Sequence, residues 1–213
     1  MLISREFFAR PSVEVAPDLL GLVLEHETPA GLVAVELTEV EAYAGRSDPA
    51  SHAYRGKTRR NAVMFGPPGH AYVYFTYGMH FCVNMVCLGE EDSASAVLLR
   101  AGAIVAGEDL ARARRTRGPG VVASRDLARG PARLCQALGI DRSQDGADVC
   151  DPASPLRVRW PDQRETLDIS QGPRIGISVA TDFPWRFWVT GDPTVSAYRP
   201  YTPRPRRKPV SAQ

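Results

Sequence analysis

Two runs of β-branched and aromatic residues, joined by only three residues, constrain the fold more than any other part of the sequence. The runs are residues 71–76 and 80–87, and the link between them is Tyr77-Gly78-Met79. Strand-like runs separated by a short glycine-containing link predict a β-hairpin. We expect the aromatic side chains within the two runs to pack the hairpin onto a core. Tyr77 and Met79 instead project from its tip, where a core role is geometrically awkward.

The remaining segments predict a mixed fold of strands and short helices. Two short helical pieces precede residue 20, and the stretch 141–173 is polar and irregular, typical of a surface excursion. Further strands are predicted at 22–24, 31–43, 95–101, 175–179 and 186–190, and helices at 108–115 and 130–139. We therefore predict one α+β domain over residues 1–198, with a curved, largely antiparallel sheet, peripheral helices and a protruding hairpin. A Pro/Arg-rich basic tail follows at 199–213.

Composition places the chain among ordinary globular proteins. Hydrophobic residues make up 44% and charged residues 23% of its 213 residues, which argues against overall disorder. No stretch approaches the ~20 apolar residues of a membrane-spanning helix. The first residues lack the pattern of a secretory signal, and the four cysteines show neither CxxC spacing nor a zinc pattern. We expect reduced thiols, a cytoplasmic location (on the nucleoid in a bacterium) and no bound metal.

The positive charges are concentrated in clusters. Residues 55–60 and 112–117 are rich in arginine, as is the tail, although the net charge is only +2. Such clusters suit a polyanion, because neutralised phosphates release counterions on binding. The same pattern can follow from GC-rich coding, which favours arginine over lysine. From the first cluster, Arg55, Arg59 and Arg60 are candidate phosphate contacts.

Carboxylates alternate with apolar residues at the end of the long strand at 31–43. A period of two places Glu39, Glu41 and Tyr43 on one face of that strand. A carboxylate among aromatic rings is partly desolvated, which suits it to act as a base. From the residues alone, Glu41 is either a solvated surface carboxylate or such a base. His52 is likewise either a hydrogen-bonded structural histidine or a functional one.

Several longer motifs follow one another along the chain. They are EAYAG at 41–45, DPASH at 48–52, RNAVMF at 60–65, YVYFTYGMHFCVN at 72–84, VLLRA at 97–101, GPARLCQALGI at 130–140, RIGIS at 174–178 and GDP at 191–193. In this order they resemble the alkyladenine (methylpurine) family of 3-methyladenine DNA glycosylases. The resemblance extends from about residue 5 to residue 198. It implies an enzyme of base excision repair that flips a damaged purine out of duplex DNA and hydrolyses its N-glycosidic bond.

The resemblance also implies roles for the reacting groups and for the hairpin. Glu41 matches the general base that activates water. Arg100 matches a residue that helps to hold this water, together with the carbonyl around Ile177. Tyr77 matches the side chain that fills the gap left in the double helix, and Met79 accompanies it at the tip. No cofactor is implied.

The base pocket is implied in the same way. Tyr43, His52 and Tyr74 match its walls and its polar contact. Asn84 matches a residue on its floor that disfavours undamaged guanine through the exocyclic amino group. The implied partner is double-stranded DNA that contains damaged purines, such as 3-methyladenine, 7-methylguanine, hypoxanthine or ethenoadenine. A chain of this kind can act as a monomer.

Two other functions compete with this interpretation. A non-catalytic DNA-binding protein on the same scaffold would keep Glu41 only as a structural residue. A metal-dependent hydrolase would use Glu39, Glu41, Asp48 and His52 as ligands, although only one histidine is near and no ligand spacing is characteristic.

Overall fold

The structure is a computed structural model and describes residues 1–76, 78–89, 93–116 and 118–198. Within these residues, the structure contains four α-helices and eight β-strands. The helices are α1 (Arg5–Phe8), α2 (Ser12–Asp18), α3 (Glu108–Arg115) and α4 (Pro131–Leu138). The strands are β1 (Val23–Thr28), β2 (Gly31–Tyr43), β3 (Ala71–Thr76), β4 (His80–Cys87), β5 (Ser95–Ala106), β6 (Leu156–Arg159), β7 (Ile169–Gly172) and β8 (Arg186–Val189).

All the strands belong to one curled antiparallel sheet. Six of them follow the order β3-β4-β5-β2-β1-β6, and β7 joins this path through β8. The long strand β2 pairs with β5 along one edge. On its other edge, its first half pairs with β1, and residues 39–41 pair with β8. β2 is thus the strand on which the sheet curls, and the prediction of an α+β fold with a curved antiparallel sheet is confirmed.

The main core lies between the sheet and the helices α1, α2 and α4. Its largest fully buried side chains include Phe8, Leu24, Leu37, Leu99 and Leu134. Burying apolar area of this kind is the dominant favourable term in folding. A second, smaller cluster of buried residues lies beneath the hairpin strands and comprises Ala53, Met64, Tyr72, Val86, Ala94 and Ala96.

The helix α4 begins and ends as its sequence predicts. Pro131 occupies the first turn, where its missing N–H is not needed. Gly139 follows the helix with a φ of +72°, a left-handed conformation that only glycine adopts at little cost. In α3, Glu108 and Asp109 lie at the positive N-terminal end of the helix, and arginines lie at its negative C-terminal end.

Three local predictions are wrong. The stretch 141–173 is not entirely irregular, because it contributes β6 and β7 to the sheet. Residues 175–179 do not form a strand: the backbone N–H of Ile175 is taken by a side chain, and Gly176 has a φ of +78°. Phe75 is 45% exposed rather than buried, and its ring contacts that of Phe81 across the hairpin at a centroid distance of 5.0 Å.

The hairpin of β3 and β4 forms as predicted, and its far end is exposed. Met79 is 69% exposed, and Gly78 and His80 also face solvent. Tyr77 and the tail from residue 199 lie outside the described residues. Within the described part of the chain, no helix has the length and apolar character needed to cross a membrane.

Candidate active site

A cleft of about 390 Å³ opens between the end of β2, the strands β3 to β5 and the segment 175–177. A cavity of this size accommodates a small molecule or a single flipped base. Aromatic and polar side chains converge on it from distant parts of the sequence. The residues that line it include Tyr43, His52, Arg60, Tyr72, Tyr74, His80, Cys82, Asn84, Arg100, Pro131, Ile175 and Ile177.

Glu41 lies behind this cleft on β2 and is fully buried. Its Oε1 atom accepts a hydrogen bond from the backbone N–H of Ile175 at 2.7 Å and lies 3.1 Å from Nη1 of Arg100. Its Oε2 atom accepts a hydrogen bond from the hydroxyl of Tyr43 at 2.8 Å. A buried carboxylate is costly unless it is paired and hydrogen-bonded. Two hydrogen bonds and the ion pair with Arg100 hold the Glu41 carboxylate in one orientation.

Tyr43 and Tyr74 are held as neutral phenols. Burial, with the nearby Glu41 carboxylate, raises the pKa of Tyr43 well above its ordinary value. Burial also raises the pKa of Tyr74, and the Sγ of Cys82 adds to the effect. The His52 ring lies edge-on to Tyr74, with ring centroids 4.6 Å apart. The cleft thus presents aromatic faces to whatever enters it.

The protonation of His52 follows from its neighbours. Burial and the nearby Arg60 guanidinium lower the pKa of His52, so the ring is neutral at pH 7. Its Nδ1 atom lies 3.1 Å from the hydroxyl of Tyr72. A neutral imidazole has one nitrogen that donates and one that accepts, so His52 and Tyr72 can share a hydrogen bond in either direction.

A second buried ion pair positions the far wall of the cleft. Asp48 and Arg174 form a bidentate pair with distances of 2.6 and 2.8 Å, and both side chains are fully buried. Arg174 also donates to the carbonyl of Ala42, and its guanidinium lies 4.6 Å from the centre of the Tyr43 ring. The pair therefore supports Tyr43 from behind and fixes the chain immediately before Ile175.

Comparison with known proteins agrees with this arrangement. Residues 6–193 match the methylpurine-DNA glycosylase family. The chain belongs to this family. Membership makes it a DNA glycosylase, an enzyme of DNA repair whose substrate is DNA, and the predicted enzyme class is confirmed.

Similar proteins occur in several bacteria. A protein of Streptomyces avermitilis is 56% identical over 96% of this chain and 95% of its own length. Proteins of Leifsonia xyli and Frankia casuarinae are 52% and 49% identical, over 92% and 96% of this chain and 92% and 94% of their own lengths. All three bear the provisional name 3-methyladenine DNA glycosylase.

The structure brings most of the predicted site residues of this glycosylase together. Six of them line the cleft: Tyr43, His52, Arg60, Tyr74, Asn84 and Arg100. Glu41 contacts two of these six from behind the cleft. Asn84 is almost fully buried and donates from Nδ2 to the carbonyl of Tyr72 at 3.1 Å.

Other predicted residues lie elsewhere. Arg55 and Arg59 are exposed and do not line the cleft, whereas Arg60 does, with its guanidinium 5.7 Å from the Tyr74 ring centre. Met79 is at the exposed end of the hairpin, and Tyr77 lies outside the described residues.

Sequence reasoning missed the residues that support the cleft from outside it. Tyr72 is buried as expected for core packing, yet its hydroxyl also orients His52. Arg174 carried no signal beyond its motif, because its partner Asp48 is far away in sequence. From the sequence, Glu39 is a candidate only as a metal ligand. Its position among the apolar residues of β2 is nevertheless a signal, because an acid there needs a buried partner.

The carboxylates considered as metal ligands are all held by donors of the protein. Arginine side chains contact Glu39, Glu41 and Asp48. Among the described residues, no group of three or more His, Cys, Asp or Glu side chains is arranged to hold a metal ion. All four cysteines, which lie in the described part of the chain, are free thiols.

Proposed function

We propose that this glycosylase is monofunctional and removes damaged purines from duplex DNA, with Glu41 activating the attacking water and an abasic site as the product. The observation that carries this proposal is the Glu41 carboxylate, fully buried yet held by Arg100, Tyr43 and Ile175 against an aromatic cleft. The names of the relatives support 3-methyladenine as one substrate.

The chemistry of the bond suits a carboxylate in this position. An N-glycosidic bond breaks through an oxocarbenium-like sugar, whose positive charge a nearby carboxylate stabilises. The same carboxylate can take a proton from the water that attacks the anomeric carbon. Because Glu41 is enclosed, this water reaches it through the cleft, beside Arg100 and the chain at Ile177. Both groups are suited to hold the water in place.

The cleft suits a flipped purine. The base stacks against Tyr43 and Tyr74, and electron-poor alkylated purines are good leaving groups that need little further activation. The neutral His52 ring carries one N–H, which donates a hydrogen bond to an acceptor on the base, such as O6 of hypoxanthine. Asn84, at the buried end of the cleft, obstructs the 2-amino group of guanine. The substrate range therefore includes 3-methyladenine, 7-methylguanine, hypoxanthine and ethenoadenine.

In the described part of the chain, no lysine is placed at the cleft for strand cleavage. A glycosylase that also cuts the strand needs an amine nucleophile to form a Schiff base. No lysine is among the described residues that line the cleft, and Lys57 lies in an exposed loop. Hydrolysis by water, with release of the free base, is the reaction that this set of residues supports.

The exposed hairpin end is suited to enter the double helix. In the proposal, Tyr77 fills the space that the flipped nucleotide leaves, and Met79 contacts the neighbouring bases. Arg55, Arg59 and Arg60 contact phosphates around the opening of the cleft. We propose that the protein acts as a monomer on the DNA of the cytoplasm.

Base release tests the proposal directly. Wild-type protein and Glu41→Gln are incubated with methylated duplex DNA and with a hypoxanthine-containing duplex, each with and without a chelator. We expect wild type to release the free base in both conditions and Glu41→Gln to be slower by at least ~10²-fold, since a general base contributes about 10² to 10⁴ in rate. DNA binding by Glu41→Gln should persist in a mobility-shift assay.

Each other outcome contradicts part of the proposal. Undiminished release by Glu41→Gln would remove Glu41 as the base. Loss of release in chelator would indicate a metal-dependent hydrolase. Tight binding without release by wild type on either substrate would indicate a non-catalytic DNA-binding protein.

A further inference from the structure

Glu39 is a buried carboxylate that the proposed chemistry does not use. It lies two residues before Glu41 on β2 and is fully buried. Its Oε1 atom accepts hydrogen bonds from Nε of Arg100 at 3.1 Å and from Nε of Arg186 at 2.6 Å. Ser196 donates to Oε2 of Glu39 from its backbone N–H and to Oε1 from its hydroxyl, each at 2.9 Å. These contacts offset the cost of burying the Glu39 charge.

The charges around Glu39 balance as a set. Two carboxylates, Glu39 and Glu41, alternate with two guanidinium groups, Arg100 and Arg186. Burial opposes the charge of Glu39, but Arg100, Ser196 and Arg186 outweigh it and hold the pKa of its carboxyl below the ordinary value. Glu41 and Glu39 raise the pKa of Arg100 against its own burial. The set therefore pairs two acidic side chains with two basic ones.

Arg100 is the group that both carboxylates share. It uses Nε for Glu39 and Nη1 for Glu41, and it is only 6% exposed. The guanidinium group is planar, so fixing Nε together with one terminal nitrogen fixes the direction of the whole group. Without Glu39, Arg100 would keep one carboxylate contact, about which its long side chain can rotate.

We propose that Glu39 is a positioning residue for the glycosylase reaction, holding Arg100 in the one orientation that keeps Nη1 beside Glu41 and lines the cleft. This inference rests on the proposed function of Glu41 and Arg100. Glu39 itself touches neither the base nor the water. Loss of Glu39 should therefore slow the chemical step, because misplacing a catalytic group by about 1 Å can cost ~10²-fold in rate.

The main test compares Glu39→Gln with a matched carboxylate on the same sheet. Glu25 also accepts from Nε of two arginines, Arg157 at 3.1 Å and Arg159 at 2.9 Å, but on β1, away from the cleft. Single-turnover base release and DNA affinity are measured at a temperature well below the Tm of every variant. We expect Glu39→Gln to slow release by about tenfold to a hundredfold with unchanged affinity. Glu25→Gln should keep the wild-type rate.

A double variant separates positioning from stability. Removing one buried charge leaves its partners uncompensated, so Glu39→Gln can lose stability or fail to fold. Glu39→Gln with Arg186→Gln removes one charge of each sign and keeps the set neutral. We expect this double variant to fold and to remain slow. The proposal is overturned if the double variant recovers both the wild-type Tm and the wild-type rate. It is also overturned if Glu39→Gln has an unchanged rate, or if its DNA affinity falls in parallel with its rate.

A spectroscopic measurement needs no activity. In protein with ¹⁵N-labelled arginine, the Nε–H signal of Arg100, assigned with Arg100→Lys, should exchange slowly with water in wild type and quickly without Glu39. If exchange is faster in the double variant but wild type releases no base, Glu39 still anchors Arg100 and only the proposed function is overturned. Unchanged exchange would overturn the anchor itself.

Discussion

At the scale of single residues, the site is governed by the cost of burying charge. Glu39, Glu41 and Asp48 are fully buried, and each is held by arginines or other donors of the protein. The alternation of β2 predicts that Glu39, Glu41 and Tyr43 share a face. In the structure Arg100 pairs with both carboxylates, and the Tyr43 hydroxyl donates to Glu41. The depth of burial could not be predicted, because Arg100 and Arg174 reach these acids from distant segments.

Asn84 is proposed to select against undamaged guanine. If its amide obstructs the 2-amino group of guanine, the Asn84→Ser variant should excise normal guanine faster than wild type. We expect an increase of about tenfold, which corresponds to an obstacle worth ~1.4 kcal/mol. The measurement is the slow release of guanine from undamaged duplex DNA.

Hypoxanthine is the matched control for Asn84→Ser, because it differs from guanine only in lacking the 2-amino group. Its excision should change much less than that of guanine. Equal changes for the two bases would mean that Asn84 acts through the hydrogen bond that it donates to Tyr72 and not through the 2-amino group.

At the scale of elements, similar sequence patterns have different structural uses. The hairpin, α3 and α4 form within the predicted bounds because local turn and capping signals define them. The pattern of the segment 175–179 is typical of a strand. In the structure, however, the backbone N–H of Ile175 donates to the Glu41 carboxylate, and Gly176 has a positive φ that interrupts an extended chain. A tertiary hydrogen bond of this kind leaves no local pattern in the sequence.

The two arginine clusters also differ. In α3, Arg114 donates to the carbonyls of Ala137 and Leu138 at the C-terminal end of α4, where a cation is favourable. Arg55 and Arg59, by contrast, are exposed in the loop before β3. The α3 cluster therefore contributes to the fold, and the loop cluster is the one suited to phosphates.

Salt dependence of DNA binding distinguishes the two clusters. Each lost phosphate contact lowers the slope of log K against log salt concentration by about 0.9. We expect Arg55→Gln with Arg59→Gln to lower the slope by about 2, for all sequences alike. Arg114→Gln is the control and should lower the Tm with an unchanged slope. A slope that falls only in Arg114→Gln would assign DNA binding to α3.

At the scale of the whole molecule, the sequence predicts the class of fold but not which strands pair within the sheet. Strand patterns and motif order predicted one α+β domain with an antiparallel sheet. They did not predict that β6 pairs with β1. They also did not predict that, along one edge of β2, its first half pairs with β1 and residues 39–41 pair with β8. Such pairings depend on contacts between segments far apart in sequence. His26 is another such contact: it is 3% exposed on β1, and its Nδ1 lies 2.9 Å from the carbonyl of Leu138 at the end of α4.

His26 makes the stability of the whole fold depend on pH. Burial lowers the pKa of His26 below its ordinary value, although the Leu138 carbonyl partly offsets this. The unfolded chain takes up a proton below about pH 6.5, whereas the folded protein does so only at lower pH. Stability is therefore fully present above pH 6.5 and is lost as the pH falls towards the folded pKa, by up to ~1.4 kcal/mol per pH unit.

Replacing His26 with a residue that donates without titrating tests this dependence. His26→Gln can still donate to Leu138, so its free energy of unfolding should fall less steeply than that of wild type as the pH is lowered from 6.5 to 5.5. Urea denaturation at pH 7.5, 6.5 and 5.5 measures the difference. His52, whose pKa is also lowered, contributes with the same sign in both proteins and cancels from the comparison. Parallel curves for the two proteins would mean that His26 does not couple protonation to the packing of β1 against α4.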